Sequence, residues 1–254
     1  MTAIVLVGQR HLPRGWRDLG VQFAIWFGFL GLYQVARGIA DRNPTRAFEN
    51  GLGVIGIEER VGDLFEITLQ QFAHSSELLT IAVSWTYWHS EFTVLGLALL
   101  WVYLRRNEAF LRLRNWILLA NLIGLLGYVI VPTAPPRMFP TFGFADTLQD
   151  FGGLNHGSGL VEISANPYAA MPSLHSADAL IIGITLALVC RHWWSRLLWL
   201  LWPAWVWFVV MATGNHFWLD ILAGIVVAFL AALIVYRRPL WRRLRPAAAA
   251  APAV

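Results

Sequence analysis

Three short segments carry the residues whose types and spacing suit chemistry on a charged group. The first is Pro132-Thr-Ala-Pro-Pro-Arg137-Met-Phe-Pro140, where repeated prolines hold the backbone extended or turning around one arginine. A guanidinium offers its donors as a fork that matches a phosphate, and it equally suits an interfacial arginine resting on lipid headgroups. The second is Met171-Pro-Ser-Leu-His175-Ser-Ala-Asp178. Pro172 followed by Ser173 marks a helix start, whose unpaired N–H groups and positive dipole end favour an anion. His175 falls in the first turn, as a proton donor or as an interfacial ring bonded to a backbone carbonyl. Asp178, three residues on, shares its face, and a carboxyl entering an apolar helix calls for a polar interior or a partner. The third is Ala212-Thr-Gly-Asn-His216-Phe-Trp-Leu-Asp220. His216 and Asp220 are spaced i, i+4, so Asp220 can accept a ring N–H and turn the opposite nitrogen towards a substrate. The same pair could instead tie two helices together. As a set, the three segments supply anion binding, an acid, and an oriented nucleophile or base.

Such residues need a frame, and composition says which. Of the 254 residues 57% are hydrophobic and 13% charged, against about 25% charged in a soluble domain. A soluble fold has too little interior for that apolar surface, which argues against a disordered chain, a nucleic-acid-binding domain and an ordinary cytosolic enzyme. Apolar runs near the length of a bilayer crossing occur at 21–39, 78–104, 116–131, 173–190, 197–213 and 217–236. The expected fold is all-α: an integral membrane six-helix bundle forming one domain over 1–245. A Pro/Gly-rich loop at 132–172 separates spans three and four, and a Pro/Ala-rich tail at 246–254 is expected to be disordered. Residues 46–74 add an amphipathic helix. Val54, Ile57, Val61, Leu64, Phe65 and Phe72 form its apolar face, and Glu58, Glu59, Asp63 and Glu66 its polar one. It lies on the membrane surface or packs as an extramembrane helix on neighbouring loops. The first twenty residues lack the order of a signal peptide.

All nineteen basic residues are arginine. Fourteen of them fall before span one, between spans two and three, between four and five, and after span six. An even number of spans puts all of these on one side, the cytoplasm by the positive-inside rule. Both termini are therefore expected in the cytoplasm of an inner (plasma) membrane protein, with the three chemical segments at the extracytoplasmic face. The net charge of +4 is mostly a topology signal.

At this point the chain resembles the type 2 phosphatidic acid phosphatase superfamily. That family's pattern is a basic motif ending Arg-Pro, then Pro-Ser-Gly-His, then Ser-Arg, five residues, His, three residues, Asp. Pro172-Ser173-Leu174-His175 differs from the second motif by Leu for Gly, and His216 to Asp220 matches the third. The family's first-motif lysine position is Ile130 here, Met138 follows Arg137, and the Ser-Arg pair falls at Val209 and Val210. Pro-Pro-Arg-Met with Pro-Ser-Leu-His and Gly-Asn-His is more similar to the branch of inositol phosphorylceramide synthases and their bacterial relatives.

The resemblance implies catalytic His216, Asp220 and His175. His216 attacks phosphorus to form a phosphohistidine, Asp220 orients it, and His175 protonates the leaving oxygen. Arg137 and Ser173 bind phosphate. Arg37, at the outer end of span one, is the best replacement for a missing cation, with an ion pair to Glu91 or Asp41 as its alternative role. Tyr87, His89 and Glu91 in span two, together with Asp178, are possible substrate-binding residues. No cofactor is implied and no zinc-type motif is present. The partners are the bilayer and a lipid phosphate or phosphodiester, not nucleic acid. Water or an alcohol such as inositol could accept the group, and a non-catalytic lipid-phosphate binder stands as the other class. An intramembrane serine protease is disfavoured, because Ser173 and His175 lie on different helical faces.

Overall fold

The computed structural model describes residues 12–40, 43–152 and 167–244, with the side chains of 36–42, 91, 150–166 and 238–254 outside the description. The Arg37 and Glu91 side chains, Asp41, the middle of the 132–172 loop and the 246–254 tail therefore lie outside the described residues. Within them the protein is all-α. Its helices are α1 (Gly15–Ala40), α2 (Pro44–Val61), α3 (Phe65–His74), α4 (Glu77–His89), α5 (Leu95–Arg105), α6 (Asn107–Ile130), α7 (Thr147–Gly152), α8 (Leu174–Val189), α9 (Trp193–Ala212) and α10 (Trp218–Leu244). The six expected spans correspond to α1, α4 with α5, α6, α8, α9 and α10. Three helices are long and apolar enough to cross a membrane, at Asn107–Ile130, Trp193–Ala212 and Trp218–Arg237, and two shorter apolar helices accompany them.

The second span is not one continuous α-helix. A π-helical turn at Ser90–Val94 joins α4 to α5. Such a turn inserts extra backbone and rotates the two halves relative to each other. The bundle core lies between α5, α6, α8 and α10, where Tyr103, Leu113, Ile117, Ile181, Ile182 and Ala228 are buried. Outward-facing Phe27, Leu188, Leu198 and Phe229 remain largely exposed, as expected of helices whose solvent is hydrocarbon.

Small residues set the closest helix crossings. A Cβ at Gly183 would meet the Trp199 carbonyl and the Pro203 ring within about 3 Å, so α8 and α9 meet at that glycine. Pro203 cannot donate to the helical ladder of α9, and its ring packs into that crossing. On α6, a Cβ at Gly124 would clash with Leu174 and one at Gly127 with Pro172. These two glycines form the groove that accepts the start of α8.

The amphipathic stretch breaks into two helices at Gly62-Asp63-Leu64, and its faces follow the pattern only in part: Val54 and Leu64 are buried and Glu59 and Asp63 exposed, as it suggests. Glu58 and Glu66 are wholly buried, whereas Ile57, Val61, Phe65 and Phe72 are exposed. The physical reason is that α2 and α3 cover the loop end of the bundle. Their inward side packs Val54, Ile55 and Leu64 against Phe139, Phe144 and Phe217 and also meets backbone groups that need polar partners, while other apolar residues stay on the outward side. Asn50 donates to the Pro132 carbonyl (2.7 Å), and the Ala134 amide donates to the Ala47 carbonyl (2.9 Å). Gln70 both donates to the Ala145 carbonyl and accepts from its amide. The arginine-rich turns lie at the opposite end, where Arg106 Nε donates to the Val189 carbonyl and Arg196 Nε to that of Cys190.

Candidate active site

The three chemical segments are drawn together by backbone hydrogen bonds. The Thr133 amide donates to the Tyr168 carbonyl and the Ala170 amide to the Thr133 carbonyl, pairing the loop after α6 with the loop before α8. The Arg137 amide donates to the Gly214 carbonyl (2.8 Å), joining the first segment to the third. The Ser173 amide donates to the Asp220 carbonyl (2.9 Å) and Ser176 Oγ to the Ile221 carbonyl (3.0 Å), joining the second to the third. Two glycines permit these approaches. Gly214 has φ +71°, and a Cβ there would meet the Ala145 carbonyl at 2.5 Å; one at Gly224 would meet the Ser173 carbonyl at 2.2 Å.

His216 is buried, and its Nδ1 lies 2.9 Å from the Ala170 carbonyl. A carbonyl oxygen only accepts, so Nδ1 carries a proton, and in the neutral ring Nε2 is the nitrogen with the lone pair. Asp220 Oδ2 lies 3.5 Å from the same Nδ1. Its shorter bond is from the Phe217 amide, at 2.8 Å. Asp220 was expected to take the ring N–H. A backbone carbonyl holds that proton instead, because Asp220 at the third helical position folds back to cap its own helix. It remains close enough to stabilise positive charge on the ring.

The His175 ring sits between two neighbours. Its centroid is 5.6 Å from that of His216 and 4.7 Å from Tyr87, the latter pair stacked at 21°. Ser173 is the N-cap of α8, its Oγ accepting from the Ser176 amide. Arg137 is nearly buried. Its Nη1 donates to Asn215 Oδ1 and its Nε lies 3.6 Å from Asp146 Oδ2. Burial lowers the Arg137 pKa from its ordinary value, an effect opposed by Tyr87 and Asp146. The guanidinium is thus held by Asn215, the residue before His216, and lies near Tyr87.

Other expected residues lie elsewhere. Asp178 is buried one turn below His175, where both its oxygens accept from Asn121 Nδ2 (2.8 and 3.0 Å). His89 does not join Tyr87. Its Nδ1 pairs with Thr93 and its ring stacks by Trp85, a residue facing outward. Two positions apart on a helix, Tyr87 and His89 point in nearly opposite directions.

Five contributors lay outside the sequence-based expectations. Ala170 acts through its carbonyl, for which no side-chain pattern exists. Asn215 and Asp146 hold Arg137. Glu58 and Glu66 had been assigned to the solvent face. One clue was available: α10 begins after Phe217, whose side chain cannot cap a helix, and Asp220 meets only the Phe217 amide, so the next amides needed partners from elsewhere.

With this geometry in hand, the comparisons with known proteins are direct. A family model described as the PAP2 superfamily matches residues 52–234. The chain belongs to the PAP2 superfamily. It is 31% identical over 140 residues to a Bacteroides thetaiotaomicron protein named phosphoinositol dihydroceramide synthase. That match covers 50% of this chain and 45% of the relative, so the chain spans under half of the relative it matches. No solved structure matches the chain.

The departures from the PAP2 pattern now have structural counterparts. Leu174, where the family pattern has glycine, fills the groove that Gly124 opens on α6. Ile130, at the lysine position, is 61% exposed on the outside of the bundle. Val210, at the third-motif arginine position, is fully buried, and its carbonyl accepts from the amides of Asn215 and His216. Neither position brings a cation to the site.

Proposed function

We propose that this protein is a membrane-embedded phosphotransferase that moves the phosphoryl group of a lipid phosphodiester through a phosphohistidine at His216. The observation that carries this reading is the fixed tautomer of His216. With Nδ1–H held by the Ala170 carbonyl, Nε2 keeps its lone pair beside His175. In the first step Nε2 attacks phosphorus, the bond to the leaving lipid alkoxide breaks, and His175 gives that oxygen its proton. In the second, His175 takes the proton of the acceptor hydroxyl, which attacks phosphorus and releases His216. Arg137 and the N-terminal amides of α8 stabilise the charge that builds on the phosphoryl oxygens. Asp220 stabilises the imidazolium.

Charge favours a diester. A phosphodiester carries one negative charge where a monoester carries nearly two, and among the described residues one guanidinium, Arg137, is tied to the motif residues. The name of the B. thetaiotaomicron relative points the same way, to a phosphoinositol headgroup joined to a lipid alcohol. The arginine-rich turns lie opposite the site, which supports cytoplasmic termini, a site at the outer face, and an inner-membrane protein working on lipids of that leaflet.

The test uses the purified protein in nanodiscs with headgroup-labelled phosphatidylinositol, with and without dihydroceramide. Label moving to dihydroceramide supports the transferase. Release of water-soluble label regardless of acceptor identifies a hydrolase. Equal turnover by wild type and His216→Ala would remove the phosphohistidine, and binding without turnover would make the protein a lipid-phosphate binder.

A further inference from the structure

The first turn of α10 is held in an unusual way. The amides that open a helix lack partners within it and are normally met by a local Ser, Thr, Asp or Asn. Here three consecutive amides are each met by a carboxyl. Phe217 donates to Asp220 Oδ2 (2.8 Å), Trp218 to Glu66 Oε1 (2.8 Å) and Leu219 to Glu58 Oε1 (3.1 Å). All three carboxyls are completely buried. Only the first is local. Glu66 comes from the first turn of α3 and Glu58 from the last turn of α2.

We infer that Glu58 and Glu66 form a proton-sharing pair that positions the His216 centre by clamping the first turn of α10. Each glutamate uses Oε1 on α10 and has an Oε2 with no other hydrogen-bond partner. Bound to the adjacent amides of Trp218 and Leu219, the two carboxyls stand side by side. One proton between them turns two repelling carboxylates into a carboxylic acid donating to a carboxylate, and satisfies both remaining oxygens. Among the described residues, the one other charged group facing the pair is Asp220 on α10; Glu59, Arg60 and Asp63 nearby are exposed. Burial raises the Glu58 pKa to about 9, with the Glu66 and Asp220 charges adding to it and the Leu219 amide opposing. Burial also raises that of Glu66, against the Trp218 amide. The pair therefore keeps its proton at neutral pH.

The clamp acts on chemistry through geometry. Trp218 and Leu219 lie between His216 and Asp220, and the Asp220 carbonyl receives the Ser173 amide that sets the start of α8. A shift of this turn moves His216, Asp220 and His175 together, and small misplacements of reacting groups cost rate out of proportion to their size. The inference rests on the phosphotransfer reading for its activity readout, and on hydrogen exchange for a readout independent of it.

In nanodiscs, Glu58→Leu is expected to lower kcat by at least about tenfold with KM within about twofold. Glu58→Gln is expected to recover most of that loss, because its amide can accept from Leu219 and donate to Glu66. The Glu58→Gln/Glu66→Gln double variant opposes two NH2 groups and should lose far more than the product of its single variants. The wild-type kcat should fall as pH rises towards 9, and Glu58→Gln should lack that limb. Wild-type kcat in Glu58→Leu, multiplicative behaviour of the double variant, or an unchanged alkaline limb would each overturn the clamp. Amide exchange at Trp218 and Leu219 should be slow in the wild type and faster in the double variant. Equal protection refutes the clamp even if no lipid turns over. Expected exchange without any wild-type turnover keeps the clamp and removes the phosphotransfer reading.

Discussion

Two helix starts flank the same histidines, and they are built differently. α8 is capped by its own sequence, with Pro172 leading in and Ser173 Oγ accepting from the Ser176 amide. α10 follows Phe217 and takes its caps from Glu66 and Glu58, 152 and 161 positions from the amides they meet. The first start is fixed by local chemistry and exists wherever the helix exists. The second is complete only when α2 and α3 have docked over the bundle. One consequence is that α8 can offer its amides to an anion as a fixed feature, whereas the register of His216 and Asp220 depends on a tertiary contact. The surface helices are therefore part of the frame that sets the positions of His216 and Asp220.

Several variants separate the two starts. The largest effect is expected from removing what both of them aim. His216→Ala should lower transfer by at least about 1,000-fold, since nucleophile loss leaves only binding and charge stabilisation; radiolabel transfer in nanodiscs measures it. Next, Arg137→Lys should cost about 100-fold in kcat, because a lysine cannot span Asn215 and Asp146 while holding a phosphoryl oxygen. A full-rate lysine variant would show that only the charge is needed there. Gly224→Ala attacks the contact between the starts. Its Cβ would stand 2.2 Å from the Ser173 carbonyl, and a loss of about 1–3 kcal/mol is expected from overpacking, read as a lower thermal midpoint in detergent. Ser173→Ala removes only the local cap and should cost about 1 kcal/mol. Activity falling far below that stability loss would give Ser173 Oγ a direct role at phosphate.

The last effect is spread over a pH range rather than set by a single substitution. Between about 4.5 and about 9 the folded protein retains a proton on Glu58 that the unfolded chain has released. Glu58 therefore makes stability decline as pH rises through that window. Thermal midpoints of the wild type should fall more steeply with pH than those of Glu58→Gln, and parallel slopes would show that Glu58 ionises as freely when folded as when unfolded.

How much of this was legible in advance differs between the two starts in the same way. Pro172-Ser173 announces the α8 cap in four letters. That Asp220 lies near the His216 ring was also suggested by their spacing, although His216 stands two residues before α10 and it is Asp220 folding back over the first turn that brings the two together. Which acceptor takes the Nδ1 proton was not readable: Ala170 contributes a carbonyl, and every residue has one. The periodicity of 46–74 correctly gave helix, yet Glu58 and Glu66 turned inward. Hydrophobic patterning assumes that the buried side of a helix is apolar. Here most of the buried side is apolar (Ala47, Val54, Ile55 and Leu64), but Glu58 and Glu66 meet the unpaired amides of α10, and those amides reverse the preference at two positions.

The sequence by itself determined the six apolar rods, the arginine-rich turns that share one end, and the order in which Arg137, His175 and His216 arrive. Each follows from local hydropathy, charge or helical spacing, which neighbours along the chain decide. The tertiary structure alone decided which nitrogen of His216 keeps its lone pair, which residues hold Arg137, and where two glutamates hide. Those outcomes depend on pairing a buried polar group with a partner far away in sequence, and the energy of a buried donor or acceptor is set by that partner rather than by its neighbours.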